Sequence, residues 1–169
     1  NQQLSSIDEA MYHEPLVHPA MGLHQHPQTI LVLGGGDGCA VREVLKYPTI
    51  DAVKLVDLDP LMTDLGKNHP ILKNLNKGSL SNKKVQIINQ DGFIFLQQDT
   101  SFYDVIIMDF PDPNNAELGK LYSKEFYLLV LYKILQWYLL LLFLPQIHPL
   151  PNLLFYTNPS KVFYLQRQS

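Results

Sequence analysis

The sequence predicts an α/β fold, a Rossmann-like parallel sheet with flanking helices whose C-terminal part is truncated or irregular. Short apolar runs alternate with segments of helical period, which is the order of parallel strands joined by right-handed crossovers. A glycine-rich turn, Gly34-Gly35-Gly36-Asp37-Gly38, closes the first apolar run. Prolines interrupt residues 145–169, where neither a helical nor a strand period is sustained.

Four apolar runs are predicted to be the strands of this sheet. The first, Thr29–Leu33, is closed by glycines and is typical of a buried parallel strand. The other three predicted strands are Ala52–Val56, Val85–Ile88 and Tyr103–Met108.

The segments that follow these strands are predicted to be helical. Asp37–Tyr47 has an apolar stripe of helical period and is stopped by Pro48. Pro60 suits the first position of the next helix, and Asp59 suits its cap. Two further helices are predicted, a short one over Phe93–Gln97 and a longer one that Ser123 caps and that ends near Trp137.

Two stretches allow more than one assignment. Leu128–Leu144 is rich in leucine but contains Lys133 and Gln136, and a membrane span needs about 20 mostly apolar residues. We therefore expect a buried helix there, with Leu139–Leu144 as a fifth strand. The polar stretch Lys73–Lys84 is predicted to be a surface loop.

The composition restricts the classes of function. The chain has 169 residues, of which 46% are hydrophobic, so one domain with a real core is expected. A net charge of −3 gives no basic footprint for a nucleic acid. Cys39 is the only cysteine, which excludes a disulfide framework and a cysteine-based metal site. The polar N-terminus does not resemble a signal peptide, and a cytoplasmic setting is expected.

Four acidic residues follow the predicted strands in the same relative position. They are Asp37, Asp57, Asp91 and Asp109. In an open α/β sheet, ligands bind in the crevice at the carboxyl ends of the strands. The sequence therefore predicts that these carboxylates converge on one cleft.

The glycine-rich turn departs from a dinucleotide-binding fingerprint because Asp37 stands where a phosphate would pass. A carboxylate there would repel a pyrophosphate, so a ligand with a positive charge and no phosphate is favoured. The glycines, Gly34 and Gly36 among them, allow tight backbone geometry and close approach of a ligand. The alternative is a structural turn, as in any Rossmann-like domain.

The next two acidic residues suit the nucleoside half of such a ligand. An acidic residue in the position of Asp57 commonly accepts both ribose hydroxyls. Asp91 suits the amino group of adenine, and Gly92 lets the backbone approach, although an Asp-Gly turn without a ligand explains the pair as well. The ligand that fits this pattern is a sulfonium nucleoside, S-adenosylmethionine or its decarboxylated form.

The loop Asp109-Phe110-Pro111-Asp112-Pro113 is the candidate for the chemistry. An amine that attacks such a sulfonium must be bound and must lose a proton, and a carboxylate within hydrogen-bond reach serves both needs. Asp109 is the candidate base and Asp112 a candidate amine ligand, although Asp112 also suits a plain turn. Tyr12 and His13 are expected to line one rim of the cleft. The nearby His18, His24 and His26 have no spacing typical of a metal site, so no metal is predicted.

Short motifs over about residues 3–135 form one collinear pattern. They are Gln3-Leu4-Ser5-Ser6, Asp8-Glu9, Tyr12-His13-Glu14, His18-Pro19, the glycine-rich turn with Arg42-Glu43-Val44, Val56-Asp57-Leu58-Asp59, Asp91-Gly92-Phe93, Tyr103-Asp104-Val105-Ile106, Asp109, Asp112-Pro113 and Leu121-Tyr122-Ser123-Lys124-Glu125-Phe126-Tyr127. The pattern resembles that of the polyamine aminopropyltransferases, or spermidine synthases, whose core has the fold of S-adenosylmethionine-dependent methyltransferases.

The resemblance implies transfer of an aminopropyl group from decarboxylated S-adenosylmethionine to putrescine, which gives spermidine and methylthioadenosine. It needs no further cofactor. It assigns Asp109 as the proton acceptor. The implied nucleoside-binding residues are Gln3, Gly34, Gly36, Asp57, Asp91 and Gly92. The implied amine-binding residues are Tyr12, His13, Asp37 and Asp112.

The chain departs from the family pattern in three places. The loop after Asp109 is similar to that of a branch of predicted membrane-associated members, in which a membrane domain precedes the catalytic domain. Residues 1–28 match only the end of the family's N-terminal β-hairpin domain and a connecting helix. Residues 29–144 match the Rossmann-like core, and 145–169 form the irregular tail. The sequence is thus expected to be incomplete at both ends, from a protein that forms homodimers and lies in the cytoplasm or at a membrane.

Two other functions stay open at this point. The first is a methyltransferase of the same fold that uses S-adenosylmethionine, whose carboxylate Asp37 would disfavour. The second is a fragment without catalytic activity.

Overall fold

A computed structural model describes residues 8–113, 116–142, 156–158 and 162–166. Its helices are α1 (Glu9–Leu23), α2 (Cys39–Val44), α3 (Pro60–Asn68), α4 (Pro70–Leu75), α5 (Gly92–Gln98), α6 (Ala116–Gly119) and α7 (Lys124–Leu142). Its strands are β1 (Thr29–Gly34), β2 (Ala52–Asp57), β3 (Val85–Asn89), β4 (Val105–Asp109), β5 (Tyr156–Asn158) and β6 (Val162–Gln166). The predicted α/β class and all four predicted strands are confirmed.

The strands form one sheet in the order β3-β2-β1-β4-β6-β5. The first four are parallel to one another, and β6 pairs antiparallel with β4 and with β5. Because β1 lies between β2 and β4, the turn that follows β1 has the ends of both neighbours beside it. This register places Gly34 opposite Asp109.

Successive side chains of the central strands alternate between two apolar layers. One layer holds Ile30 and Val32 of β1 and packs against α1 and α2. The other holds Leu31 and Leu33 and packs against α5 and α7. Burial on both faces explains why β1 has no polar position between its ends. Each buried aliphatic side chain contributes about 1.5–3 kcal/mol, which makes these strands a rigid support for the cleft.

Helix α1 forms although Pro15 and Pro19 lie inside it. Each proline removes one backbone donor and crowds the preceding turn. Tertiary packing compensates, because Leu16, Val17 and Met21 of the helix are buried in the core.

Helix α3 begins with the two residues that the sequence predicts for its start. Asp59 accepts a hydrogen bond from the backbone N–H of Leu61, and Pro60 occupies the first turn of α3, so both predictions are confirmed. Helix α2 begins only at Cys39, because Gly38 takes a left-handed conformation with φ of 82°.

Two predictions about the chain's course were wrong. Residues 73–84 are not simply a surface loop: they contain the end of α4 and a 3₁₀ turn, Ser79–Ser81, and Asn76 and Leu80 are buried. Leu139–Leu142 belongs to α7 and is not strand, because leucine favours helix and no breaker occurs before Pro145.

The tail predicted as irregular, 145–169, contains the short strands β5 and β6 where the structure describes it. Its other residues, together with 143 and 144 of the expected fifth strand, lie outside the described residues. Among the helices of the described ranges, none has the length and apolar character that crossing a bilayer requires.

Asp104 ties the beginning of β1 to the beginning of β4. Its Oδ2 accepts hydrogen bonds from the backbone N–H groups of Gln28 and Thr29 and from Oγ1 of Thr29, at 2.9, 2.9 and 3.0 Å. We expect Asp104→Ala to lower the free energy of unfolding by about 1–3 kcal/mol, because it leaves these donors without their acceptor. Urea unfolding measures the loss. Thr29→Val removes one of the three bonds and should cost less; equal losses would contradict the assignment.

Candidate active site

The glycine-rich turn lies between the ends of β2 and β4. A Cβ atom at Gly36 would stand 2.8 Å from Oδ2 of Asp57, and one at Gly35 would stand 2.7 Å from Oδ2 of Asp109. The backbone N–H of Gly36 donates to Asp57 at 2.8 Å. Asp57 and Asp109 therefore flank the turn, as the strand order requires.

Gly34 shows most directly why the turn needs glycine. Its φ is 80°, in the left-handed region that favours glycine. A Cβ atom there would also collide with the backbone carbonyl oxygen of Asp109. The turn thus brings bare backbone against the ends of the neighbouring strands.

Asp57 is oriented by two backbone donors. Oδ2 accepts from Gly36, and Oδ1 accepts from the N–H of Asp59 at 2.8 Å. Burial raises the pKa of Asp57 above its ordinary value, and these two hydrogen bonds oppose the rise. A carboxylate has about four lone-pair sites, so Asp57 can still accept the hydroxyl groups of a ribose.

Asp109, the predicted base, is nearly enclosed, with 10% of its side chain exposed. The hydroxyl of Tyr12 donates to its Oδ1 at 2.8 Å, and Nε2 of His13 lies 3.9 Å from its Oδ2. Burial, and then the charge of Asp37, raise the pKa of Asp109 to about 6, while His13 and the Tyr12 hydrogen bond lower it. Such a carboxylate is mostly ionised at neutral pH and is poised to take up a proton.

His13 has a defined ring orientation. Its Nδ1 lies 2.8 Å from the backbone carbonyl oxygen of Glu9, which can only accept a hydrogen bond. Nδ1 therefore carries a hydrogen, and in the neutral ring the lone pair is on Nε2, the atom nearest Asp109. The ring of Tyr12 packs edge-on against that of His13, with centroids 4.9 Å apart. The predicted rim residues thus both face the candidate base.

The turn that contains Asp37 is held by hydrogen bonds that the sequence did not reveal. Oδ1 of Asp37 accepts from the N–H of Cys39 at 2.7 Å. The buried Asn76 donates to the backbone carbonyls of Asp37 and Gly66, at 2.6 and 2.7 Å. Ser79 donates to the carbonyl of Gly38 at 2.7 Å. The residues around Lys77-Gly78 indicate a turn in the sequence. Nothing in that sequence shows that the side-chain amide of Asn76 supports the glycine-rich turn.

Asp91 has a structural partner for each carboxylate oxygen. Oδ1 caps α5 by accepting from the N–H groups of Phe93 and Ile94, and Oδ2 accepts from Lys120 at 2.6 Å. Burial raises the pKa of Asp91, but the Lys120 ion pair and the capping bonds leave it below its ordinary value. At Gly92, an added Cβ would meet only Leu33, at 3.8 Å. The protein's own atoms therefore leave space beside Gly92, which the predicted approach of a nucleoside requires.

The loop after β4 places Asp112 at the surface. The hydroxyl of Tyr122 donates to the carbonyl of Pro111 at 2.8 Å, and the Phe110 ring packs between Tyr122 and Phe126. Burial, then Tyr127 and then Asp112, raise the pKa of Tyr122. Gln3, a predicted nucleoside ligand, lies outside the described residues.

Two groups of side chains in the described residues come close enough together to share a metal ion. They are Glu9, His13 and Cys39, and Glu14, His18 and Glu43. A cationic side chain already pairs with each group, since Arg42 binds Glu9 and Lys46 lies 2.5 Å from Glu43. That no metal is used stays a prediction.

Comparison with known proteins decides the family. The model of the spermine/spermidine synthase domain matches residues 9–136, most of the chain and every strand that carries the cleft. The chain belongs to this family.

Curated relatives of this family member are similar over the same region. A polyamine aminopropyltransferase of Leptospira interrogans is 54% identical over 125 residues, which are 74% of this chain and 25% of that protein. One of Pyrobaculum calidifontis is 39% identical over 129 residues, which are 74% of this chain and 44% of that protein. The chain thus spans from about a quarter to under half of the length of these relatives.

Solved structures agree with the fold. A crystal structure of spermidine synthase in complex with the transition-state analogue AdoDATO has a TM-score of 0.69 and 33% identity, covering 75% of this chain and 42% of that one. Spermidine synthase from Thermotoga maritima has a TM-score of 0.66 and 32% identity, covering 75% and 41%. The Rossmann-like core is therefore shared with spermidine synthases.

The contacts of Asp109 predict opposite effects of two substitutions on its pKa. Asp37→Asn removes a nearby negative charge and should lower the pKa below about 6. Tyr12→Phe removes a hydrogen bond to the carboxylate and should raise it. Titration of the 13C-labelled aspartate carboxyl groups, assigned with Asp109→Asn, measures both shifts. Asp64→Asn, on the exposed side of α3, is the control and should leave the midpoint unchanged; shifts of the same sign would contradict the described geometry.

Proposed function

We propose that the protein of which this chain is part transfers an aminopropyl group from decarboxylated S-adenosylmethionine to putrescine. The observation that carries the proposal is the surroundings of Asp109. This enclosed carboxylate has a pKa of about 6, is contacted by Tyr12 and His13, and shares its cleft with Asp37 and Asp57. The family and the names of its relatives support the same reaction.

The reaction is a displacement at the carbon beside a sulfonium. Asp109 takes one proton from the ammonium form of putrescine, which frees the nitrogen lone pair. The nitrogen attacks the carbon, the C–S bond breaks with its electrons going to sulfur, and methylthioadenosine leaves. Because the sulfonium is already a good leaving group, positioning and deprotonation of the amine supply most of the catalysis.

The two substrates divide the cleft between them. Asp57 would bind the ribose, and Asp91 with Gly92 would bind adenine, with Asp91 sharing its Oδ2 between the adenine and Lys120. Gly34 and Gly36 let the nucleoside approach the turn, and Gln3 is a further predicted contact. Tyr12, His13 and Asp112 would bind the acceptor amine. Asp37 would bind the ammonium of the aminopropyl group.

The position of Asp37 predicts which nucleoside binds more tightly. Decarboxylated S-adenosylmethionine lacks the carboxylate that Asp37 would repel, so we expect it to bind roughly tenfold or more tightly than S-adenosylmethionine. Calorimetry with both nucleosides measures the ratio. Asp37→Asn should bring the two affinities closer together. Tighter binding of S-adenosylmethionine would favour a methyltransferase instead.

Asp109→Asn tests the base. Asparagine keeps the size of the side chain but cannot take up the proton, so we expect spermidine formation to fall about 10²- to 10⁴-fold. A product assay with putrescine measures the rate. Asp64→Asn, on the exposed side of α3, is the matched control and should keep most of the rate. Equal turnover of Asp109→Asn and the unmodified chain would show that Asp109 is not the base.

The stability of the same variant separates lost chemistry from lost folding. Because the folded pKa of Asp109 is raised from 3.8 to about 6, the folded state binds more protons between these values, and stability falls as the pH rises through them. Removing the charge should therefore raise the free energy of unfolding at pH 7 by about 1–3 kcal/mol. The gain should vanish below about pH 4.

The expected homodimer, membrane domain and location stay predictions from the sequence.

A further inference from the structure

The reaction as proposed does not use a buried ion pair that joins α1 to α2. Arg42, of which 8% is exposed, meets the carboxylate of Glu9 through two hydrogen bonds, from Nη1 to Oε1 and from Nη2 to Oε2, both 2.8 Å long. Its Nε donates to Glu43 at 2.8 Å, and Nη1 also donates to the carbonyl of Leu75 at 2.7 Å. One guanidinium thus links α1, α2 and the end of α4.

The Glu9 end of this pair reaches the candidate active site. Oε2 of Glu9, which binds Arg42, lies 3.2 Å from Nδ1 of His13, and the backbone carbonyl of Glu9 lies 2.8 Å from the same nitrogen. Hydrogen bonding from Arg42 holds the pKa of Glu9 below its ordinary value, so Glu9 stays anionic. A two-pronged guanidinium–carboxylate contact fixes direction as well as distance.

We propose that Arg42 is a positioning residue of the active site: through Glu9 it holds α1 so that Tyr12 and His13 face Asp109. It touches none of the reacting atoms. The inference rests on the proposed function for its kinetic consequence, but its structural content concerns the chain without substrate. If it holds, loosening Arg42 changes the environment of Asp109 from a distance.

The pKa of Asp109 depends on its burial and on the groups that face it. Tyr12 and His13 come from α1 and lower its pKa, whereas Asp37 and Asp57 come from the turn and from β2 and raise it. Tyr122, in the segment after β4, also senses the charge of Asp109. Displacing α1 removes the two groups that lower the pKa, and it also exposes a carboxylate whose burial is the largest cause of the raised pKa. The titration midpoint of Asp109 should therefore change, in the direction of the larger of these two effects.

Arg42→Lys tests the proposal because lysine keeps the charge and loses the two-pronged contact. In the 13C titration of Asp109, we expect the midpoint to shift by about half a unit or more. With putrescine, kcat/KM should fall about ten- to hundredfold, while the dissociation constant of the nucleoside changes less than about twofold. Lys54→Met is the matched control, since it breaks the ion pair with Asp99 on the opposite face of the sheet. It should leave the midpoint of Asp109 and the kinetics unchanged.

A second variant covers the case in which Arg42→Lys does not fold. Glu9→Leu combined with Arg42→Met removes both charges of the pair, a replacement that proteins often tolerate, while Glu43 keeps its contacts with His18 and Lys46. It should fold and show a shifted midpoint of Asp109. An unchanged midpoint in a folded Arg42→Lys or double variant would overturn the inference, because a purely structural ion pair would lower the melting temperature alone. If these variants shift the midpoint of Asp109 but the unmodified protein forms no spermidine, only the proposed function is rejected.

Discussion

The candidate site depends on one constraint, the close approach of the turn after β1 to the carboxylates at the ends of β2 and β4. Gly36 donates its backbone N–H to Asp57, and Gly34 lies directly against the backbone of Asp109. Side chains at these positions would force the three strand ends apart. The absence of Cβ atoms therefore lets charges from separate parts of the sequence act on one another, and after burial, the largest cause, the charge of Asp37 raises the pKa of Asp109.

Most of this constraint could be predicted from the sequence, because its determinants are local. A short apolar run that ends in glycine or aspartate indicates both a buried strand and the polar edge where it stops. Repetition over four strand ends predicted that Asp37, Asp57, Asp91 and Asp109 converge, and the structure brings Asp37 and Asp57 close enough to act on Asp109. The sequence motif also identified Tyr12 and His13, although only the structure shows that both face Asp109, the proposed base.

What the sequence did not reveal depends on contacts between distant segments. Asn76 is an ordinary turn residue by composition, and its two hydrogen bonds to backbone carbonyls exist only because α4 returns beneath the glycine-rich turn. Glu9 and Arg42 are 33 positions apart, and neither residue type indicates its partner. The extension of α7 past Trp137 was missed for a different reason: a continuous leucine run has no period that separates helix from strand.

The residues that surround Asp109 come from two different parts of the chain. The carboxylates belong to the sheet, whereas Tyr12 and His13 belong to α1, which packs on one face of that sheet. Under the proposed function, α1 supplies two of the three contacts to the acceptor amine, whereas Asp57, the proposed ribose contact, lies at the end of β2. Substitutions of Tyr12 and His13 would then change the surroundings of the amine, while the glycine-rich turn and Asp57 keep their mutual geometry.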